Sequence, residues 1–344
     1  MKDSFRMMAE WEPQQAVLLA WPHESTDWSP WLDSIEEDYV RLQAAIGQAA
    51  NPIILCRDEA HRAHVAQKIR ENCDHAPKLI VAPYNDTWCR DYGPVSVAQN
   101  DDVRFLDFQF CGWGNKYQAS LDNSINQKLS HIWAAPVKTV DFELEGGSIE
   151  TDGEGTLLTT TRCLLESERN KELGKDQIED SLKNNLGIER VLWLSEGELI
   201  GDDTDSHIDN LARFADPETI IYASCSREED PHYGPLKAME AQLRNFLQAN
   251  GRLYNLVPVE IPMPQLDENG TGLPASYVNF LILNDIVIMP VFNCPHDAEA
   301  FAVMTKCFPG KRVVTVPGSN LIRQFGGPHC ATMQLPKNSL KSVF

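Results

Sequence analysis

The chain has 344 residues, 42% of them hydrophobic and 23% charged, an ordinary globular balance with ample material for a core. With 50 acidic against 30 basic residues the net charge is −20, which argues against a nucleic-acid partner and suits approach by a cationic small molecule, although the same charge also serves solubility. No run reaches the roughly 18 apolar residues that a membrane helix needs, and the opening residues carry neither an apolar stretch nor a small-residue cleavage pattern, so a soluble cytoplasmic protein is expected.

The chain opens on a short strand at residues 16–22, followed by a helix at 33–49, where Ile35, Tyr39, Leu42, Ala45 and Ile46 recur at helical spacing. A strand at 51–56, a helix at 61–71 and a strand at 78–83 come next. A polar loop, Tyr84 to Asp91, then introduces a pattern that recurs. Strands at 93–97 and 103–108 flank a hairpin turn, a helical stretch lies near 119–131, and a strand covers 137–142. The next unit starts at Glu145-Gly-Gly147. It pairs 148–151 with 156–160 across Asp152-Gly153-Glu-Gly155, the strongest hairpin signal in the chain, and continues with a helix near 175–185 and a strand at 190–194. A third unit starts at His207, with strands 208–214 and 219–223, a helix at 234–249 and a strand at 253–261. A fourth starts at Ser276, with strands 277–283 and 286–291, a helix at 297–307 and a strand at 312–316. A strand carrying Cys330 closes the chain, and with residues 14–83 it makes a fifth unit.

Hairpin, helix, strand is therefore the repeated unit, at an average spacing of roughly 60 residues. Repeats of this kind suggest radially arranged blades in which the last strand completes the first. The expectation is one domain spanning residues 1–344, an α/β propeller of five ββαβ modules. Equivalent strand starts would then converge on one axis and bring Asp91, Glu145, His207, Asp209 and Cys330 together.

The nine cysteines (56, 73, 89, 111, 163, 225, 294, 307 and 330) are odd in number and scattered, which fits neither a disulfide framework nor a zinc knuckle. Cys330 follows Phe325-Gly-Gly-Pro-His329, a Gly-rich mount that could present a thiolate nucleophile, although a buried structural cysteine is the commoner case. Aspartates without a basic partner suit a planar guanidinium, whose paired N–H groups match carboxylates bidentately. Asp91 and Asp209 fit that role. His207 would protonate a departing amine and later deprotonate water, and Glu145 would orient its ring. His207 and Asp209 on one strand face could also be a metal pair, but no third ligand stands at metal spacing. Trp21, Trp88 and Trp113 could be core or could wall an aromatic slot for a cation, with Trp88 favoured because it shares the Asp91 loop. The chemistry so assembled is covalent hydrolysis of a guanidine C–N bond through a thiouronium intermediate.

Several ordered motifs resemble the agmatine deiminase family, relatives of the bacterial peptidylarginine deiminases in the guanidine-modifying (pentein) superfamily. They are Ala9-Glu-Trp-Glu-Pro13, Ala20-Trp-Pro-His23, Trp88-Cys-Arg-Asp-Tyr-Gly-Pro94, Gly112-Trp-Gly-Asn-Lys-Tyr117, Leu144-Glu-Gly-Gly-Ser148, Gly201 to Asn210, Ser276-Tyr-Val-Asn-Phe280 and the Cys330 strand to Pro336. The resemblance implies a five-bladed propeller, Cys330 as nucleophile, His207 as acid/base with Glu145 as its partner, Asp91 and Asp209 on the guanidinium, and Trp88 lining the pocket. It implies conversion of agmatine to N-carbamoylputrescine and ammonia, a step toward polyamines, with no metal or organic cofactor. No nucleic-acid or membrane partner is implied, and a homo-oligomer is compatible with it. Two departures stand out: Ser206 where the family more often has Gly, and a shortened closing motif with Pro328.

Three other readings compete. Free or peptidyl arginine as substrate would bring, when free, an α-carboxylate needing a basic clamp, for which Arg90 is the residue on offer. An amidinotransferase would pass the amidine to an amine. A non-catalytic binding protein on the same scaffold would not need thiol, imidazole and carboxylates together.

Overall fold

The computed structural model describes residues 5–72 and 76–342. Among them, five sheets follow one pattern: two antiparallel strands and then a third strand parallel to the second. The triplets are Val95–Gln99, Asp102–Gln109 and Val137–Glu143; Ile149–Thr151, Thr156–Thr160 and Arg190–Leu194; Ala212–Asp216, Thr219–Ser224 and Asn255–Glu260; and Leu281–Leu283, Ile286–Val291 and Arg312–Pro317. In the fifth, the closing strand Met333–Pro336 pairs antiparallel with Gln14–Ala20, which runs parallel to Asn51–Cys56 and through it to Lys78–Val81. The expected junction of last strand with first is thus present.

Parallel neighbours cannot be joined by a tight turn, so each sheet needs a crossover between its second and third strands. Helices supply it in four of the five: Leu32–Ile46, Lys175–Leu186, Tyr233–Leu243 and His296–Cys307 each occupy such a connection. Leu32–Ile46 shows why these segments are helical. Its buried Ile35, Tyr39, Leu42 and Ile46 form one stripe, and each such side chain contributes about 1.5–3 kcal/mol on burial. An aspartate at Leu42 would put a charge into that stripe and cost the helix its docking.

Four segments differ from the sequence reading. Residues 119–131 do not form one helix; they break into short turns at Asp122–Ser124, Ile125–Lys128 and Leu129–His131. The helix expected to run to 249 stops at Leu243, ahead of a polar turn rich in Asn and Gln. Residues 208–210 are a 3-10 turn, and the strand begins only at Ala212. Residues 277–280 precede the strand Leu281–Leu283 rather than belonging to it. The last two shortfalls share a cause. In both, side chains rather than a strand ladder tie the segment to its neighbours: Ser276 Oγ donates to the Asn210 carbonyl at 2.8 Å, and Asn279 Oδ1 accepts from the His329 N–H at 3.0 Å. Among the elements not anticipated are Arg6–Met7, which edges the first sheet, a small hairpin of Gln265–Leu266 with Gly272–Leu273, and the one-turn helices Gly112–Asn115 and Thr161–Leu164. No helix among the described residues is long and apolar enough to cross a membrane.

Candidate active site

In all five sheets the residues just before the first strand carry a polar group. Asp91 lies in the short helix Cys89–Tyr92, Glu145 precedes the turn Gly146–Ser148, His207 precedes the turn Ile208–Asn210 and Asp209 lies within it. Asn279 precedes Leu281, and Cys330 precedes Met333. These segments meet. Gly147 N–H donates to Asp91 Oδ1 at 2.9 Å, Arg90 N–H donates to the Cys330 carbonyl at 3.1 Å, and His329 N–H donates to Asn279 Oδ1 at 3.0 Å.

The Gly pairs are there for space. A Cβ on Gly147 would sit 2.7 Å from His207 Nδ1, 2.9 Å from Asp91 Oδ1 and 3.0 Å from Asp209 Oδ2. Three of the expected functional groups therefore converge on one glycine. A Cβ on Gly326 would lie 2.4 Å from the Trp88 ring, and one on Gly327 would lie 2.4 Å from Asn279 Oδ1.

His207 is fully buried between two carboxylates, with Nδ1 3.7 Å from Asp91 Oδ1 and Nε2 3.7 Å from Glu145 Oε2. These are ion-pair distances rather than hydrogen bonds, and both ring nitrogens lack a hydrogen-bond partner. Burial disfavours a charged ring, but Asp91, with Cys163 and Glu145, outweighs it and holds the His207 pKa well above its ordinary value. Glu145 is held below the usual carboxylate range: burial works against its charge, while His207 and Arg169 more than offset it. Arg169 Nε lies 2.9 Å from both Glu145 oxygens, and its Nη1 reaches Asp205 at 2.7 Å. Asp205 and Ser206 both have left-handed φ, 63° and 65°. That backbone explains why Gly would be at ease at position 206.

Cys330 Sγ accepts from Asn279 Nδ2 at 3.0 Å and donates to Asp209 Oδ2 at 3.3 Å. Burial pushes this thiol well above its ordinary pKa, and the charges of Asp209 and Asp91 add to the effect. Asp209 Oδ1 is buried with no partner, an acceptor waiting for a donor. Asp91 is raised, chiefly by burial and then by the like charges of Asp209 and Glu145, and its Oδ2 accepts from Trp113 Nε1 at 2.9 Å.

Cys330 and Asp91 line a cleft of about 410 Å³. Trp88, Trp113 and Phe325 wall it, and its more exposed end is acidic, with Asp27, Asp86 and Asp203. Burial pushes Asp86 up to about 7, and the charge of Asp27 adds to it. No Lys or Arg is among the cleft's described lining residues. Arg90 is turned away: its Nε donates to the His329 carbonyl at 3.3 Å, Nη2 donates to Gln334, and Nη1 faces Glu10 at 3.5 Å.

Trp21 is a correction. It is fully buried away from the cleft, donates from Nε1 to Glu36 Oε1 at 2.8 Å and packs edge-on against Tyr39. The sequence reading also gave no role to Asn279, Arg169 or His329. For Asn279 the signal was available, because the fourth unit should have contributed a polar group at its strand start as the others do.

Glu145, Cys163 and His207 place ligand-type atoms within 4.8 Å of one another. A metal there would have to displace the buried Arg169 guanidinium from both Glu145 oxygens, so the trio fits proton handling better than metal binding. Cys163 is fully buried and does not line the cleft.

Residues 6–336 match the family described as Porphyromonas-type peptidyl-arginine deiminase. The chain belongs to that family. A Legionella pneumophila (strain Paris) protein, provisionally named an agmatine deiminase, is 35% identical over 340 residues, 97% of this chain and 96% of its own length. A solved structure described provisionally as the arginine deiminase of Porphyromonas gingivalis is 39% identical, with a TM-score of 0.91 over 98% of this chain and 100% of the other. The C. jejuni agmatine deiminase, solved as a cysteine-to-serine variant with substrate bound, is 34% identical, with a TM-score of 0.90 over 98% of each chain. The fold of this chain is accordingly the α/β fold of mixed sheets found in those deiminases.

Proposed function

We propose that the protein hydrolyses the guanidinium of agmatine, giving N-carbamoylputrescine and ammonia, with Cys330 as nucleophile and His207 as acid and base. The observation that carries the choice of substrate is the acidic end of the cleft. Asp27 and Asp86 would receive a distal ammonium, Asp203 being already paired with Lys116 at 3.3 Å and with the Tyr117 hydroxyl at 2.7 Å, and no basic side chain among the described lining residues stands ready for an α-carboxylate. Arg90, the clamp a free-arginine deiminase could have used, is committed to His329, Gln334 and Glu10.

The chemistry follows from the charges. In the empty site the Cys330 thiol holds its proton, because burial, Asp209 and Asp91 all oppose a thiolate. A guanidinium seated on Asp209 and Asp91 cancels those charges, and the thiol proton leaves to solvent. The thiolate then bonds to the guanidinium carbon. The His207 imidazolium gives its proton to one nitrogen, the C–N bond breaks, ammonia departs, and a planar thiouronium remains. Neutral His207 next takes a proton from water as its oxygen bonds to the same carbon. Collapse breaks the C–S bond, restores the thiolate and releases the ureido product with a proton. Glu145, fixed by Arg169, keeps the ring oriented throughout.

In this reading the five sheets are the blades of one propeller domain covering the chain, and the protein works in the cytoplasm on a small cation.

Ammonia and ureido-product release should be compared for agmatine, free arginine and an arginine-containing peptide. Agmatine should be preferred by at least about a hundredfold in kcat/KM, as expected where a carboxylate would have to sit among like charges. Cys330→Ser should abolish turnover, whereas Cys163→Ser should retain it. Loss of turnover in Cys163→Ser with activity surviving in Cys330→Ser would move the nucleophile to the other thiol. Preference for arginine or peptide would overturn the substrate.

A further inference from the structure

His329, next to the thiol, has been given no part in the chemistry above. Its side chain is fully buried, and each ring nitrogen meets a carboxylate: Nδ1 lies 2.8 Å from Asp209 Oδ2, and Nε2 is bonded to Glu10 Oε1. The ring therefore bridges the two carboxylates, one on each nitrogen. Both carboxylates are held in their charged form. Burial opposes charge on Glu10, but Arg213, His329 and Arg90 together hold it well below the usual range. Burial likewise opposes charge on Asp209, and the His329 hydrogen bond and charge outweigh it.

The ring cannot swing away. The His329 backbone is tied at both ends, its N–H to Asn279 Oδ1 and its carbonyl to Arg90 Nε. Glu10 is tied too, with Oε2 2.7 Å from Arg213 Nη2. Arg213 in turn holds Glu150 through Nε at 2.9 Å. At the far end, His329 and the Cys330 thiol occupy Asp209 Oδ2, while Oδ1 is left buried and unpartnered.

We propose that His329 and Glu10 are a positioning pair for Asp209. The ring clamps Oδ2 so that Oδ1 presents to an incoming guanidinium N–H, and its hydrogen bond to Oδ2 weakens the repulsion that Asp209 exerts on a Cys330 thiolate. The site is then incomplete without the N-terminal segment, because Glu10 lies 319 residues from His329 in sequence. The substrate-binding half of this inference rests on the guanidine-hydrolase reading; the thiol half does not.

Two measurements test it. In a Cys330→Ser background, agmatine binding is measured by calorimetry for His329→Asn, Asp209→Asn and the double variant. If His329 acts through Asp209, His329→Asn weakens binding about tenfold or more, and the double variant binds no worse than Asp209→Asn alone within about twofold. Losses that multiply in the double variant would overturn the pairing. Without any substrate, the iodoacetamide alkylation rate of Cys330 is followed by the mass of its peptide in the otherwise wild-type chain, at one mildly alkaline pH. Removing the ring leaves Asp209 Oδ2 facing the thiol without that hydrogen bond, so His329→Asn should slow alkylation about three- to tenfold. A His329 that served only to pack the fold would, when replaced, expose Cys330 and speed the reaction, so unchanged or faster alkylation would overturn the proposal. Glu10→Gln, a milder change at a partly exposed side chain, should slow alkylation in the same direction by a smaller factor. Slowed alkylation together with no agmatine binding in the Cys330→Ser parent would retain the positioning pair and reject agmatine as the substrate.

Discussion

Gly147 shows how much one hydrogen atom can decide. Its missing Cβ leaves the space where His207, Asp91 and Asp209 approach one another, and its N–H fixes Asp91. Gly147→Ala would force at least one of those groups aside. Displacements of about 1 Å near a reacting centre cost on the order of a hundredfold, so kcat/KM should fall by about that much or more, with a loss of stability of about 1–3 kcal/mol from the crowding. Activity near wild type would mean that the three groups do not act as one constellation. Asp209→Asn tests the charge itself. It keeps an acceptor but removes the negative charge, and should cost about 2–4 kcal/mol of transition-state stabilisation, roughly 30- to 1,000-fold in kcat/KM. An unchanged kcat/KM would remove Asp209 from the guanidinium site.

At the scale of elements, the loop that carries the Trp88 and Asp91 segment is anchored by a residue outside it. Asp122 Oδ1 accepts from the N–H groups of Asn85 at 2.6 Å and Asp86 at 3.2 Å. Burial, with the nearby charge of Asp86, pushes Asp122 from near 3.8 up to about 8. The folded chain therefore holds this proton between about pH 4 and pH 8 while the unfolded chain does not, and stability from this group is lost as pH rises through that window. The thermal midpoint should fall between pH 6 and pH 9, and Asp122→Asn, which keeps an acceptor but cannot ionise, should flatten the fall. An equal slope in both proteins would mean that other groups set it. The anchor was not legible in the sequence, because residues 119–131 show helical spacing, yet Asp122 turns inward and the segment breaks into short turns. Regular elements were legible where one face is apolar and the period is clean, as in the helix Leu32–Ile46 and the hairpin joining Ile149–Thr151 to Thr156–Thr160. The starts of the first strands were legible as places but not as conformations: Asp91, Glu145, His207, Asp209 and Cys330 do meet, yet residues 208–210 and 277–280 are not strand. Trp21 was misplaced because a tryptophan at a strand end reads alike whether it faces a cleft or the core. Its Nε1–H had a buried partner in Glu36, 15 residues away, which no local pattern reveals.

Across the whole molecule, several buried charges lie against opposite ones: Arg169 with Glu145, Arg213 with Glu10 and Glu150, and His207 between Asp91 and Glu145. Such balance is what makes ions tolerable in a low-dielectric interior. The chain carries a net charge of −20, and the cleft's outer end shares its sign through Asp27, Asp86 and Asp203. A field of one sign that deepens toward a cleft raises the encounter rate of an oppositely charged ligand and is screened over about 8 Å at physiological salt. A substrate carrying two positive charges should feel this strongly, and the chemical step inside the buried site should not. Raising salt from about 20 mM to about 300 mM should therefore lower kcat/KM for agmatine about three- to tenfold while kcat changes by less than about twofold. The double variant Asp27→Asn/Asp203→Asn should start lower and show a shallower salt dependence. A salt effect on kcat alone would place the sensitivity in the buried ion pairs instead, and an unaltered slope in the double variant would assign the attraction to the rest of the acidic surface rather than to the mouth of the cleft.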